Sequence, residues 1–349
     1  MKYIKNIIIS GFILGFTIFT LIFSEKISSG IINSIERCLK IVIPSLFAFM
    51  VISSIVVKSG LHRYFSRPFR FISRHILHIN ENLFSVFLMS FTGGYPIGAK
   101  NLVELYDNSE ISKKEAERMI SFCYMPSPAF ILGISNPLLY SSKKAGIIIY
   151  LSITISTILF AVISGFFTKN KHSGKSGYKI KISSETIISS VELSAISLFK
   201  ICIMIIFSSV IIVFIEILFS EISIDKNLLV IINSLIEITA LTELEKDIFG
   251  LLPIITALFS FGGLSVIMQI KTIIGNRFSL KYFFISRIVI AFLSTIIVRI
   301  AVKFISITAS KNAVYMGSRE ISVFPSVILI IMIIYLLWDK KTVANTKNM

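Results

Sequence analysis

Charge is scarce in this chain. Only 15% of its 349 residues are Asp, Glu, Lys or Arg, against about a quarter in a soluble domain, which excludes a water-facing surface of ordinary composition. Acid is the scarcer sign: 19 Asp and Glu stand against 35 Lys and Arg, a formal net charge of +16. With four histidines and three cysteines, little is left for a metal cluster or a disulfide framework. Cys38, Cys123 and Cys202 lie in or beside apolar runs. Their odd number and wide spacing read as small buried hydrophobes. There is no Gly-x-Ser-x-Gly, no His-Glu-x-x-His and no Asp-rich diphosphate motif. No catalytic residue, metal or cofactor is therefore expected, and the chain is not read as an enzyme.

What is abundant is apolar. Hydrophobic residues make up 54% of the chain, more than a soluble core absorbs and what a bilayer accepts. The length supplies about eight to ten transmembrane or re-entrant segments of roughly 20 residues. They fall near 4–23, 31–57, 83–103, 116–135, 145–167, 196–220, 228–244, 248–270, 282–304 and 323–338. A spanning backbone must satisfy its own hydrogen bonds, so the expected fold is all-α and polytopic. The run from Ile7 to Phe23 follows Lys2 and Lys5 as a signal peptide would. No small-x-small site follows it at Ser24-Glu25-Lys26, and it reads as an uncleaved first span. The basic residues sit mostly between apolar runs, where they set topology and touch anionic lipid. No base-stacking or RNA motif accompanies them, so nucleic acid is not an expected partner.

Residues 61–77 differ from the rest. Arg63, Arg67, Arg70 and Arg74 form one stripe, and Leu61, Phe65, Phe69, Ile72 and Ile76 form another. This is the pattern of an amphipathic helix at the membrane surface, kinked at Pro68. His75 and His78 fall in it and read as interfacial rather than as a metal pair. The polar stretch 169–181 contains Ser173-Gly174-Lys175-Ser176. A phosphate loop would need glycine where Lys169 stands, and no βαβ context exists.

That linker divides two similar halves. Leu39-Lys40 and Phe199-Lys200 each open a long apolar segment. Phe91-Thr92-Gly93-Gly94 is matched by Ser260-Phe261-Gly262-Gly263, and Ser112-Lys113-Lys114 with Arg118 by Ser279-Leu280-Lys281 with Arg287. A long-period repeat of this kind is typical of transporters; chance likeness between Ile-rich helices is the alternative. The expected domains are an N-terminal helix (1–30), a first repeat (31–167), a basic linker (168–195), a second repeat (196–304) and a C-terminal helix with a basic tail (305–349). The basic stretches 58–74 and 169–181 should share the cytoplasmic side. One of the three segments between them is then re-entrant, with 83–103 and 116–135 as candidates, and the repeats are inverted.

The two Gly-Gly sites carry the functional reading. Gly93-Gly94 and Pro96 break a membrane helix, which is tolerated where it lines a protein-buried or wet cavity. The broken end offers backbone N–H groups to an anion. The candidate substrate-binding residues are Gly93, Gly94, Tyr95, Pro96, Gly98 and Lys100, with Gly262, Gly263, Ser265 and Gln269 in the other half. Ser127 and Pro128 join them from the Met125-Pro126-Ser127-Pro128 break, where a plain kink is the alternative. Close helix packing is the competing explanation for the glycines, and the only one for Gly11 and Gly15. Glu237, within the run 228–241, is the candidate coupling group, with Arg118 or Arg287 as a partner; a wet surface position is the alternative.

Gly93-Gly94-Tyr95-Pro96-Ile97-Gly98-Ala99-Lys100, then Lys114-Glu115-Ala116-Glu117-Arg118, Ser121-Phe122-Cys123 and Pro128-Ala129-Phe130-Ile131-Leu132-Gly133, resemble the YlbJ family of sporulation integral membrane proteins. Phe261-Gly262-Gly263-Leu264-Ser265-Val266 with Gln269 resembles its second-half signature. Met125-Pro126 departs from the Asn/Ser-rich turn of the family. The resemblance spans roughly 30–310. It implies membership of the nucleoside-recognition or Gate domain group, a place in the outer forespore membrane, and movement of dipicolinate from mother cell to forespore, with cortex and heat resistance depending on it. A flat dianion of that kind would set one carboxylate on the broken-helix amides and Lys100. Ser265 and Gln269 would serve the other carboxylate or the ring nitrogen. A non-transporting factor for cortex and envelope assembly is the other reading of such a protein.

Overall fold

The computed structural model describes residues 2–138, 143–167, 180, 182–220, 222, 224–244 and 250–304. The expected segment 323–338 and most of the linker lie outside the described residues. Every regular element among the described residues is helical. Six stretches are long and apolar enough to cross a bilayer: Tyr3–Ile22, Ser24–Lys58, Lys144–Phe166, Ser184–Phe219, Leu252–Ile274 and Lys281–Phe304. The chain is an all-α, polytopic integral membrane protein.

Two rods form the spine. The first joins α2 (Ser24–Arg37) and α3 (Ile43–Lys58) through a π turn at Cys38–Val42. Pro44 explains the wide turn, because it cannot donate to the preceding turn and its ring crowds the carbonyl there. The second is α10 (Ser184–Phe219). Each has about 35 residues and so measures about 50 Å, well beyond a hydrocarbon core of about 30 Å. Their polar turns, invisible to hydropathy, begin both rods earlier than 31 and 196. The rods are antiparallel. Lys58 Nζ donates to Ser189 Oγ at one end (2.8 Å), and Lys100 Nζ reaches Ser194 Oγ (2.7 Å) and the Met50 carbonyl (3.5 Å) midway. Gly30 packs on Val213 and Ser209 at the other end. α1 (Lys2–Ile22) stands aside, exposed along its length, and touches the spine through Phe16 and Phe19 against Phe214.

The amphipathic segment follows α3 as α4 (Leu61–Ser66), a 3-10 turn at Arg67–Phe69 containing Pro68, and a π turn at Ile72–Ile76. Its arginines engage carboxylates, Arg63 with Glu110 and both Arg70 and Arg74 with Glu81. His75 stacks on Phe71, and His78 lies against Phe166.

Next comes a helical hairpin, α5 (Phe84–Gly93) and α6 (Tyr95–Asp107). Ser85 at its start bonds the His62 carbonyl (2.6 Å), while Glu104 near its finish faces Lys58 (4.0 Å) and Ser54 (3.5 Å). Both feet therefore rest at the same end of the first rod, and 83–103 is re-entrant with its tip at Gly94. α7 (Lys113–Ile120) and α8 (Pro128–Leu138) make a crossing broken by the unwound stretch 121–127. α9 (Lys143–Phe166) returns, bringing Gly165 back against His78 and Arg118.

The second half repeats this from the opposite end. α11 (Lys226–Ile236) runs inward to an extended Glu237, and a 3-10 arm (Ile238–Glu243) turns back. Asn233 bonds Glu216 (2.8 Å) and Glu243 bonds Arg37 (2.8 Å), so both arms lie toward the far end of the rods. α12 (Leu252–Phe261) and α13 (Gly263–Ile274) form a crossing broken at Gly262, and α14 (Lys281–Phe304) completes the set. Each half thus consists of a rod, a re-entrant hairpin, a broken crossing and an unbroken crossing, with opposite sense. The sequence match between the two Gly-Gly sites is corrected by this order. Gly93-Gly94 is a hairpin tip whose counterpart is the Glu237 turn. Gly262-Gly263 is a break in a crossing whose counterpart is 121–127. Paired glycines mark any backbone break, so they aligned two breaks of different kind.

Candidate functional site

Each hairpin tip meets the break of its own half. Gly94 has φ +91°, and a Cβ there would lie 3.1 Å from Leu46 and 3.2 Å from Ser127. At Gly263, φ +79°, a Cβ would lie 3.2 Å from the Ser234 and Ile236 carbonyls. The halves then join through the breaks. Tyr95 Oη donates to the Phe259 carbonyl (2.5 Å), and Tyr124 presses its hydroxyl onto Gly262. These backbones approach too closely for any side chain, which is what the glycines supply.

Where the tips meet, Gly94, Tyr95, Pro96, Ser127, Glu237, Thr239 and Gln269 enclose a cavity of about 20 Å³ together with Phe130, Val266, Ile238 and two residues from each rod, Val42, Leu46, Ile201 and Ile205. That is room for about one water. Ser265 stands behind it, accepting from Gln269 Nε2 (3.2 Å) and reaching the Glu237 carboxylate. Five of the twelve expected binding residues therefore line the cavity (Gly94, Tyr95, Pro96, Ser127 and Gln269). Gly262 and Gly263 form the crossing of the breaks, Gly93 packs on Ile97, Gly98 on the Cys123 carbonyl, and Pro128 starts α8.

Lys100 is not among the lining residues. Six residues beyond Gly94, it sits about 9 Å along α6 from the tip, and its amine is taken up between the rods by Ser194 and the Met50 carbonyl. The broken end therefore gets no cationic side chain from its own helix.

Glu237 is buried, not wet, at 2% exposure. One carboxylate oxygen accepts from the Thr239 N–H (3.1 Å), and the Ser265 and Thr239 hydroxyls lie beside the carboxylate. The expected arginine partners are engaged elsewhere. Arg118 donates to the Leu77 and His78 carbonyls, capping the amphipathic segment. Arg287 donates to the carbonyls of Ser121 (2.6 Å), Tyr124 (2.8 Å) and Ser260 (3.4 Å) and lies over the Tyr124 ring at 4.6 Å. It is 1% exposed. It satisfies the carbonyls that unwinding orphaned, and it brings a full positive charge beside the site without a carboxylate on it. The tilted pair Tyr95 and Tyr124, centroids 4.8 Å apart, separates it from Glu237.

Tyr124 and Thr239 are thus site residues that sequence reasoning did not place in the site, and Arg287, expected there as a partner of Glu237, holds the breaks instead. The available signal was Arg287 itself, an arginine inside an apolar run. Among the described residues no three His, Cys, Asp or Glu side chains gather as a metal group would require.

Comparison with known proteins adds one likeness. The sporulation integral membrane protein YlbJ of Bacillus subtilis (strain 168) is 25% identical to this chain over 149 residues, 43% of the chain and 36% of YlbJ. The chain thus matches little more than a third of that protein's length. No family model matches, and no solved structure does.

Proposed function

We propose that the protein is a permease for a small carboxylate during sporulation, with dipicolinate as its solute, moved from the mother cell toward the forespore across the outer forespore membrane. The observation that carries this reading is the convergence of two re-entrant tips, one from each end, on a small buried cavity whose surrounding residues include Ser127, Glu237, Thr239 and Gln269. Hairpins from opposite ends can each uncover a shared site to one side, as alternating access requires. A cavity of about 20 Å³ holds no more than about one water, so in this reading the solute enters when a tip withdraws. The sporulation role draws on the likeness to YlbJ.

Electrostatics shapes the coupling. The α6 N-terminus at Gly94–Pro96 and the buried Arg287 favour an anion, while Glu237 faces the same cavity. Two like charges about 4 Å apart repel by about 4 kcal/mol at an effective dielectric of 20. The solute therefore binds together with a proton on Glu237, and anion and proton travel as a pair. Thr239, Gln269 and Ser127 supply the remaining hydrogen bonds.

The test is uptake of labelled dipicolinate into liposomes holding the purified protein, with and without an inward proton gradient. Wild type should accumulate solute when the gradient is imposed. Glu237→Gln should keep downhill flux and lose the response to the gradient. Uptake no faster than into protein-free liposomes overturns the proposal and favours a non-transporting factor for cortex and envelope assembly.

A further inference from the structure

At the end of the rods opposite the amphipathic segment lies a second, larger space, a cleft of about 450 Å³ between α2 and α10. Lys26, Asn33 and Arg37 line it from one rod and Glu216 from the other, and Glu243 of the second hairpin closes its wall. The rods exceed the hydrocarbon thickness by about 20 Å, and α2 is their most polar part, so the Lys26 end of the cleft reaches the headgroup and water layer.

Its ion pair is uneven. Arg37 is fixed in the wall with its side chain 16% exposed, whereas Glu243 is 48% exposed. A single 2.8 Å bond joins them, from Nη1 to Oε1. Arg37 Nη2 reaches Ser34 Oγ (3.3 Å), and Nε is buried without a partner. Guanidinium favours two parallel bonds to one carboxylate, and Glu243 leaves that capacity unused. Glu216, the other acid here, is held by Asn233 (2.8 Å). Lys26 adds a second positive charge facing the same space.

The place matters as much as the chemistry. Arg37 precedes Val42, a wall of the central cavity, by five residues, about 7.5 Å of helix rise. Glu243 ends the short arm that begins at the Glu237 tip and carries Thr239. Ile238, Thr239, Ala240 and Leu241 of that arm are buried, and Glu243 ties its outer end to the first rod.

We propose that the cleft is an entry site for a small carboxylate, which binds Arg37 with Lys26 behind it by displacing Glu243, one hairpin arm away from the central cavity. The identity of the solute rests on the permease reading; the exchange of carboxylates on Arg37 does not. The experiment is titration of the full chain, in nanodiscs of neutral phosphatidylcholine, with dipicolinate as the probe. Glu243→Gln removes the internal competitor and should tighten binding about threefold or more, while Arg37→Gln should weaken it about tenfold. Arg37→Lys, which keeps the charge but not the fork, should fall between them and shows that loss in Arg37→Gln is not misfolding. If Glu243→Gln binds no more tightly than wild type, or Arg37→Gln as well as wild type, the entry site is overturned. If the Arg37 and Glu243 effects hold while liposomes show no uptake, the cleft stands and the permease reading falls.

Discussion

At the scale of single residues, glycine separates the parts of this molecule that must bend from those that need not. Gly94 combines φ +91° with ψ −178°, a conformation essentially confined to glycine, and it is crowded by Leu46 and Ser127. Gly94→Ala should cost about 2 kcal/mol or more, since strain of 1–3 kcal/mol adds to the close contacts. Gly11 lies within α1 with nothing within 4 Å of an added Cβ. Gly11→Ala should be neutral or stabilise by about 0.5–1 kcal/mol. Thermal midpoints of the two variants in one detergent check the contrast, and an equal loss in both would show that the tip is not strained. Glu110 gives a second prediction, outside the membrane spans. Burial alone would raise its carboxyl, but hydrogen bonds and charge from His62 and Arg63 hold it below the ordinary carboxylate value. A lowered folded-state value stabilises the protein above the ordinary value of about 4.3, and that share is lost as pH falls through the lowered one. Wild type should lose stability as pH falls from about 5 to about 3, and Glu110→Gln should lose less over the same interval.

Between elements, the unwound stretch 121–127 depends on α14. Arg287 holds three of its and α12's carbonyls from outside, so Arg287→Met should leave orphaned acceptors and cost about 3 kcal/mol or more. Arg277→Ala removes a bidentate pair with Asp107 whose two side chains are about half exposed. Its cost should stay near 1 kcal/mol or below. Comparable losses in the two variants, read as shifts in thermal midpoint, would mean that the buried arginine does not hold the break. The same elements show what a sequence reveals and what it conceals. Long apolar runs, the amphipathic stripe at 61–77, and breaks at Gly94, Ser127 and Gly262 are local, and each was legible. The destination of a long side chain is not local. Lys100 was about one turn beyond Pro96 in sequence, but Ser194, 94 residues on, took its amine. The pairing of the repeats failed for a related reason. The second hairpin turns at Glu237 with no glycine, its return arm being six residues of 3-10 helix, too short and polar to announce a membrane hairpin. Gly262-Gly263 stood out instead.

The whole molecule is two copies of one plan inserted in opposite directions, and in the permease reading that inversion gives a single cavity two routes of approach. The feet of the first hairpin lie at the end that carries Arg63, Arg67, Arg70 and Arg74. The Arg277–Asp107 pair ties the loop after α13 to that same end. α11 starts from the other end, near where Glu216 meets Asn233. Excess Lys and Arg marks the cytoplasmic side, so Asn108 and Asn276 should face the cytoplasm, and Asn227 the opposite compartment. Cys38, Cys123 and Cys202 are buried and contribute little background to thiol labelling. A membrane-impermeant maleimide applied to intact cells should therefore label Asn227→Cys, and label Asn108→Cys and Asn276→Cys only after the membrane is opened. Labelling of Asn108→Cys together with Asn227→Cys in intact cells would place both hairpins on one side. In that case withdrawing either tip would uncover the cavity to the same compartment, and no movement of the tips could carry a solute across.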